Sequence, residues 1–423
     1  MERTMICDVF GKEREVRLLG WVYDTRDLKK VRFLVLRDIS GRIQVTAPVE
    51  KVEREVFELI DKVKRESVVE VIGKSIKSKQ APGGWEVIPK FIKVIAKAED
   101  PLPIDVSDYS KTELPIRLNN RFLDLHRGKI QAIFKVQSTI LRAFREFMFS
   151  EGAIEVILPS IISSSSEGGT ELFKVKYFEK DAFLSQSCQL YKQMLACSME
   201  KVFTVFVAWR AEKHNTTRHL NESRQFDYEE AFADDKKVMD VLARCVVFIV
   251  KKVLEENKEE VKLLNPSLKV PKVKYVSFTE LRSLLREKGI SVPLHDLGTG
   301  AEHETSKIFK DTLLMVHSWP IEGKPFYIMP DGKLSKGFDA LLNGLEICSG
   351  GQRIHQPELL EERLKANNLN PEDFKDYINS FRFGAPPHAG WAVGVERLTM
   401  VLLGLDNIRE ATLFPRDRDR LNP

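Results

Sequence analysis

The sequence predicts a multidomain protein: a small N-terminal all-β barrel, followed by a larger α+β domain with an antiparallel sheet flanked by helices. Three observations carry this. The first hundred residues are short runs rich in Val, Ile, Leu and aromatics, broken by glycines. Residues 100–120 (DPLPIDVSDYSKTELPIRLNN) hold three prolines and little periodicity, as expected of a linker. Beyond them, helical and strand patterns alternate to the end, with several strand pairs that read as antiparallel. The expected boundaries are therefore 1–99, 100–120 and 121–423, and 423 residues are ample for such a division.

In the first part, EVRLLGWVYD, VRFLVLRDISGRIQVTA, SVVEVIGKSI and GWEVIPKFIKVI supply five strands, punctuated by Gly41, Gly73, Gly83 and Gly84. A charged, helix-like stretch over residues 50–65 separates the third strand from the fourth. Three strands, a helix and two strands is the order of a Greek-key OB barrel, although any small β-domain shares the composition. After the linker, Ile130, Ile133, Phe134, Leu141, Phe144, Phe147 and Met148 recur at helical spacing, which predicts a helix over 129–149 stopped near Gly152. The Lys/Glu-rich stretch over 238–285 reads as a helical excursion from the core. No repeat of solenoid length is evident.

Charge is nearly balanced, with 66 Lys+Arg against 62 Asp+Glu for a net +4. A nucleic-acid partner would have to be met by a local surface rather than a basic coat. Hydrophobic residues at 43% and charged residues at 30% exclude fibrous and disordered classes. Five widely spaced cysteines without CxxC argue against a disulfide framework or a structural zinc site, and point to a reducing cytoplasm. The N-terminus lacks a signal-peptide pattern. The longest tight apolar run, residues 245–250, is too short to span a membrane, so no membrane partner is expected.

No Walker A loop, GxGxxG or HExxH occurs. Three other segments concentrate functional residue types. In residues 206–232 an apolar strand delivers Arg210 and Glu212 to one face, a loop carries His214, Arg218 and His219, and a second strand returns with Asp227 and Glu229 on one face. Such a hairpin suits a polyphosphate gripped by guanidinium forks; a solvated hairpin with surface ion pairs is the plainer reading. In residues 337–355, Glu346 and Ser349 offer hard oxygen ligands suited to Mg2+, Gly350 and Gly351 permit close backbone approach, and Arg353 can pair with a carboxylate. The plainer reading there is a glycine-containing turn after a strand. The closing segment places Arg397 in the first turn of a helix beginning near Gly394, a good anion site, unless that arginine merely faces solvent.

Taken in order, these segments resemble class II aminoacyl-tRNA synthetases, and in detail the aspartyl-tRNA synthetases of archaeal/eukaryotic type. The resemblance extends to SEGAIEVILPSII with Pro159, SEGGTELF with Glu167, LSQSCQLYKQ, WRAE, FRFGAPPHAGW, GVERL and the terminal LFPRDRDRL. It implies a class II catalytic domain behind an anticodon-binding OB domain, ATP as substrate, Mg2+ as cofactor, and a homodimer packed through the Pro159 segment. Arg210 would bind the α-phosphate and the substrate α-carboxylate, with Arg397 on the γ-phosphate; these two are the catalytic candidates. Ala211, Glu212, Arg218, His219, Leu220, Glu346, Gly394, Val395 and Glu396 complete the implied ATP site. Glu167, Gln189, Leu190, Tyr191, Lys192, Arg210, Ser349 and Arg353 line the implied aspartate site, and Glu346 and Ser349 the metal site. In the OB domain, Arg26, Phe33 and Gln44 match anticodon-reading positions, where an exposed aromatic stacks on a base; for Phe33 the alternative is barrel core.

Lys192 and Arg353, as two cations facing the substrate side chain, favour L-aspartate over asparagine. Tyr23 and Pro82 occupy positions that correlate with tRNA choice in the archaeal family; Tyr23 is uninformative there, and Pro82 leans towards enzymes that charge both tRNA-Asp and tRNA-Asn. The chain departs from the family at Ser223, where many members stack a Phe on adenine. Arg224 or Phe226 is the candidate substitute. Cys188, Ala389, Ala392, His126 and the FDALLNG segment also depart. The alternatives are an asparaginyl-tRNA synthetase or a paralogue forming free asparagine, and a non-catalytic tRNA-binding paralogue. Lys192 and GGQR speak against the first, and intact Arg210, Glu346 and Arg397 against the second.

Overall fold

In the computed structural model, which describes residues 1–163 and 171–423, five strands close the N-terminal barrel. They are β1 (Glu15–Asp27), β2 (Val31–Asp38), β3 (Gly41–Pro48), β4 (Val68–Lys77) and β5 (Trp85–Ala96), in the order β1-β2-β3-β5-β4 with β4 returning to β1. Helix α1 (Arg54–Lys62) lies between β3 and β4, as the Greek-key order requires. Strand alternation builds the core: Val16, Leu18 and Val22 on β1, Leu34 and Leu36 on β2, and Ile43, Val45 and Ala47 on β3 are all buried. Val56, Phe57 and Ile60 seat α1 against this core. Phe33 has the opposite parity and stays half-buried outside it.

The chain divides into two compact units, Met1–Asp105 and Val106–Pro423. Residues 114–119, inside the weakly periodic stretch, form a short helix (Leu114–Asn119). Its Arg117 pairs with the buried Asp124 at 3.0 Å. The second unit is organised around an eight-stranded sheet. Its first elements are helix α2 (Gly128–Ser150), strand β6 (Ile154–Glu155), helix α3 (Gln189–Met199), the hairpin β7 (Lys201–Trp209) and β8 (Glu222–Ala231), and helix α4 (Asp235–Glu256). There follow β9 (Lys272–Ser277), α5 (Gly298–Ile308), β10 (Thr312–His317), β11 (Gly337–Leu342), β12 (Leu345–Gln352), β13 (His388–Gly394) and α6 (Val395–Leu403). The sheet order is β9-β10-β11-β12-β13-β8-β7-β6, antiparallel except for the parallel pairs at its two edges.

Helix α2 ends where Gly152 takes φ 76° and donates to the Phe149 carbonyl. The stretch expected to leave the core does not do so in its first half. Asp234 caps α4 by accepting from the Lys237 amide, and Val238, Leu242, Cys245, Val246, Ile249 and Val253 of α4 are buried in the largest apolar cluster beside α2. The Lys and Glu side chains that suggested an excursion occupy its other face.

Candidate active site

Strands β8, β11, β12 and β13, with the loops beside them, line a cavity of about 610 Å³. Strand β7 ends at Trp209, and the loop that follows brings Arg210, Glu212, Arg218, His219 and Leu220 to its wall. Asn221 gathers that loop, its Nδ2 donating to the carbonyls of Arg210 at 2.6 Å and Glu212 at 2.9 Å. Thr216 Oγ1 lies 2.6 Å from His219 Nδ1 and accepts from the Arg218 amide at 3.1 Å. Burial, and then the charge of Arg397, hold the His219 ring below its ordinary pKa, so it is neutral at pH 7. Arg218 pairs with Glu302 of α5 at 3.4 Å.

The opposite wall comes from β11 and β12. Glu346 and Ser349 are three residues apart, and a regular strand would point them to opposite faces. A bulge resolves this: Leu341 pairs with Glu346 and Ala340 with Cys348, leaving Ile347 extra. Ser349 Oγ then donates to Glu346 Oε1 at 3.1 Å. Asp339, cross-strand partner of Ser349, lines the same wall and accepts from Lys324 Nζ at 2.5 Å. The Glu346 side chain is 35% exposed and lines the cavity. Burial and the neighbouring Asp339 charge push its carboxyl up to about 7. Arg397, in the first turn of α6, donates Nη1 to the Glu346 carbonyl at 3.1 Å.

At the floor, Arg353 donates Nε to Glu229 Oε1 at 2.9 Å and Nη2 to Oε2 at 3.3 Å, a bidentate pair. Gln189 Nε2 also reaches Glu229, at 3.4 Å. Glycine is required above this pair, because a Cβ on Gly390 would collide with the Tyr228 carbonyl and the Glu229 carboxylate. Gly350 is similarly constrained, its added Cβ falling 2.5 Å from Phe338 and 2.8 Å from the Gly390 carbonyl.

The cavity wall thus brings together Gln189, Arg210, Glu212, Arg218, His219 and Leu220 with Glu346, Ser349, Arg353, Gly394, Glu396 and Arg397. The other expected site residues lie elsewhere. Lys192 does not face the cavity. Only 1% exposed, it bonds Asp227 Oδ1 at 2.9 Å and the Trp391 carbonyl at 3.0 Å, and lies 3.5 Å from Glu229. The buried anions of β8 draw it inward. Leu190 packs with an apolar cluster containing Phe326, Phe374 and Tyr377, and Tyr191 and Ala211 are absent from the cavity wall. Val395 is buried behind the wall. Glu167 falls outside the described residues.

Sequence reasoning missed Asp339 and Lys324. The place of Asp339 opposite Ser349 emerges only from the register of β11 and β12, and Lys324, on the connection before β11, had no signal in the sequence. Ser223 does line the cavity, but neither proposed substitute takes the place of a stacking Phe. Phe226 stacks on Phe144 in the core with ring centroids 4.0 Å apart. Arg224 is held by Glu222 at 3.0 Å and Glu396 at 3.6 Å.

A second candidate surface is the outer face of the barrel. Phe33 pairs across to Arg26 on β1 and Thr46 on β3. Gln44, two positions along β3 from Thr46, donates to Thr46 Oγ1 and Glu86 Oε2, both at 3.1 Å. Tyr23 sits at a β1 bulge with the Arg42 guanidinium 3.7 Å from its ring centroid. Pro82 opens an exposed turn, Pro82–Gly84.

The family described as tRNA synthetases class II (D, K and N) matches residues 113–418, and an OB-fold nucleic acid binding domain matches residues 16–95. The chain belongs to the class II tRNA synthetases. An aspartate–tRNA(Asp/Asn) ligase of Archaeoglobus fulgidus is 46% identical over 97% of both chains. An aspartate–tRNA(Asp) ligase of Pyrococcus abyssi is 43% identical over 97% of this chain and 96% of its own. Among solved structures, the asparaginyl-tRNA synthetase of Pyrococcus horikoshii complexed with asparaginyl-adenylate has a TM-score of 0.96 at 34% identity, covering all of both chains. Among the described residues, no helix is long and apolar enough to cross a membrane.

One wall residue of this synthetase gives a pH prediction. Glu396 accepts from the Arg224 amide with both oxygens, at 3.1 and 3.0 Å, and burial pushes its carboxyl up to about 7. Between its ordinary value of 4.5 and about 7 the folded chain holds a proton that the unfolded chain has released. That contribution to stability is complete below 4.5 and is lost as pH rises through about 7. Glu396→Gln is expected to flatten the fall in thermal midpoint between pH 5 and pH 8 relative to wild type. Parallel profiles for the two proteins would rule this out.

Proposed function

We propose that this synthetase is an aspartate–tRNA ligase: it activates L-aspartate with ATP to aspartyl-adenylate, then transfers aspartate to the 3′ end of tRNA. The observation that carries the amino-acid choice is Arg353. It lines the cavity floor and uses Nε and Nη2 on Glu229, so Nη1 is left over for a substrate β-carboxylate. Relatives named as aspartate–tRNA ligases support the same reading.

The aspartate carboxylate is already ionised at pH 7, so attack on the α-phosphorus needs no protein base. The chain's task is to hold the reactants in line and to balance charge developing on phosphate oxygens. Arg210 at the end of β7 serves the α-phosphate and the α-carboxylate, and Arg397 at the start of α6 the γ-phosphate. Arg218, His219 and Leu220 line the nucleotide loop, and the open space at Ser223 leaves the adenine without an aromatic partner from β8. Glu346 and Ser349, with Asp339 beside them, fit Mg2+. The donors are hard oxygens, and a carboxyl pushed up by burial and a neighbouring anion is one that a dication would relieve. When bound, Mg2+ supplies neutralisation of triphosphate charge.

Arg26, Phe33 and Gln44 on the outer barrel face are assigned to the anticodon loop, with Phe33 stacking on a base. Tyr23 and Pro82 bear on tRNA choice, and aspartylation of tRNA-Asn as well as tRNA-Asp is expected. A homodimer fits the exposed Ile154, Ile157 and Ile161, of which Ile157 is 99% exposed; a monomer by sedimentation would count against it.

One observation favours a second reading. Because Lys192 is withdrawn, its charge and that of Arg353 are cancelled by Asp227 and Glu229, and a neutral amide meets less penalty there than two free cations would impose. ATP–pyrophosphate exchange with aspartate and asparagine in parallel decides between them. Exchange with aspartate is expected to exceed that with asparagine at least ~100-fold. Exchange with asparagine alone would favour an asparaginyl enzyme, and exchange with neither a non-catalytic tRNA-binding protein.

A further inference from the structure

The loop over residues 210–221 carries five cavity-wall residues yet has no strand or helix of its own. Its shape is fixed from outside by the last part of the chain. The Ile408 amide donates to the Thr217 carbonyl at 2.9 Å, and Arg409 Nη1 donates to the Thr216 carbonyl at 3.0 Å. Arg409 Nη2 also bonds Asn215 Oδ1, whose Nδ2 in turn bonds Asp419. Arg418 Nη1 donates to the Lys213 carbonyl at 3.1 Å, and the Asn221 amide donates to the Arg416 carbonyl at 2.9 Å. These contacts span the loop from residue 213 to residue 221.

The bracing segment is itself anchored. Arg121, fully buried on the short helix Arg121–Asp124, donates to the carbonyls of Thr412 at 2.9 Å and Leu413 at 3.0 Å. Gln137 of α2 donates to the Ala411 carbonyl at 2.7 Å. Arg409 is the centre of the brace: its Nε bonds Asp417, which is nearly buried, so the guanidinium is fixed before it meets the loop. A fork held on one side by a carboxylate presents its remaining donors in a set direction.

We propose that Arg409 is a positioning residue, holding loop 210–221 in the shape that presents Arg218 and His219 to the nucleotide phosphates. Its grip on the Thr216 carbonyl fixes the residue whose hydroxyl bonds both the Arg218 amide and the His219 ring. A loop tip left free would have to be ordered by the nucleotide itself, which weakens binding of ATP, while Arg210 keeps its place for the amino acid through its own backbone bonds to Asn221 at 2.9 and 2.6 Å. This rests on the nucleotide role proposed above for the loop.

The test uses the full chain. Arg409→Ala is expected to raise KM for ATP in the exchange reaction about tenfold, as loss of charge-assisted contacts implies, with KM for aspartate within about twofold. Arg409→Lys should recover part of the loss, keeping charge without the fork. Asn215→Ala, at an exposed loop position, should shift KM for ATP the same way by less. Limited trypsin digestion gives a readout independent of activity: Arg409→Ala should be cut after Lys213 or Arg218 sooner than wild type. An unchanged KM for ATP, an equal rise in KM for aspartate, or unchanged cleavage of the loop would overturn the proposal. Wild-type chain that exchanges with neither amino acid would instead defeat the functional reading, while the digestion would still report on the brace.

Discussion

Replacing Arg397 with alanine is expected to lower ATP–pyrophosphate exchange at least ~100-fold while the protein stays folded, because a positioned cation facing developing charge contributes on that scale. Its ties within the protein are modest. It donates to the Glu346 carbonyl at 3.1 Å and lies 3.8 Å from the Glu346 carboxylate, with 28% of its side chain open. A partly exposed pair of that length contributes no more than about 1 kcal/mol to stability. Ties this modest leave the arginine little part in stability, as its proposed role on the γ-phosphate requires. Arg397→Lys keeps the charge without the fork and should recover only part of the rate. Arg210→Ala is expected to fall as far, since Arg210 lines the same cavity and is the residue proposed for the α-phosphate. Near-wild-type exchange in either alanine variant would remove that residue from the mechanism.

The contrast between Arg397 and Lys192 marks where sequence reading reached its limit. Both stand in segments matching family motifs, and both were expected to face substrate. Strand parity placed Asp227 and Glu229 on one face of β8, and both do reach Lys192. What parity could not say is that the lysine on α3 would be drawn into those anions and away from the cavity. That depends on the packing of a helix against a sheet, which local pattern does not encode. The barrel was more legible, because alternation of buried Leu34 and Leu36 with outward Phe33 follows from the two-residue period alone. Glu346 and Ser349 were found as residue types although simple parity separates them; the bulge at Ile347 that unites them is invisible in the sequence. The same bulge hid Asp339, whose place beside them emerges only from the β11–β12 register. Helix α4 belongs to the core because a regular apolar stripe runs from Val238 to Val253, a pattern that the Lys and Glu residues of its other face obscure in the sequence.

Glu229→Ala is expected to destabilise the second unit by about 3–5 kcal/mol, the usual result of deleting one member of a buried ionic network. Glu229 is fully buried and accepts from Arg353 twice, with Gln189 and Lys192 also in reach. Burial alone would raise its pKa, but Arg353 and then Lys192 outweigh that and hold it below the ordinary 4.5. Its removal takes from Arg353 the carboxylate to which it donates twice and leaves Lys192 paired with Asp227. Glu229→Gln keeps the shape and two hydrogen-bonding atoms but not the charge, so it should fall between wild type and alanine. The sign of the pH dependence follows from the depressed value. The carboxylate's contribution is present above 4.5 and is lost as pH falls through its lower folded value, so the stability gap between wild type and Glu229→Gln should close on acidification. Urea unfolding across that range measures the gap, and one that widened towards acid would contradict the ionised pair. Because Glu229 also aims the Arg353 fork, Glu229→Gln should raise KM for aspartate more than KM for ATP, the reverse of the split expected for Arg409→Ala.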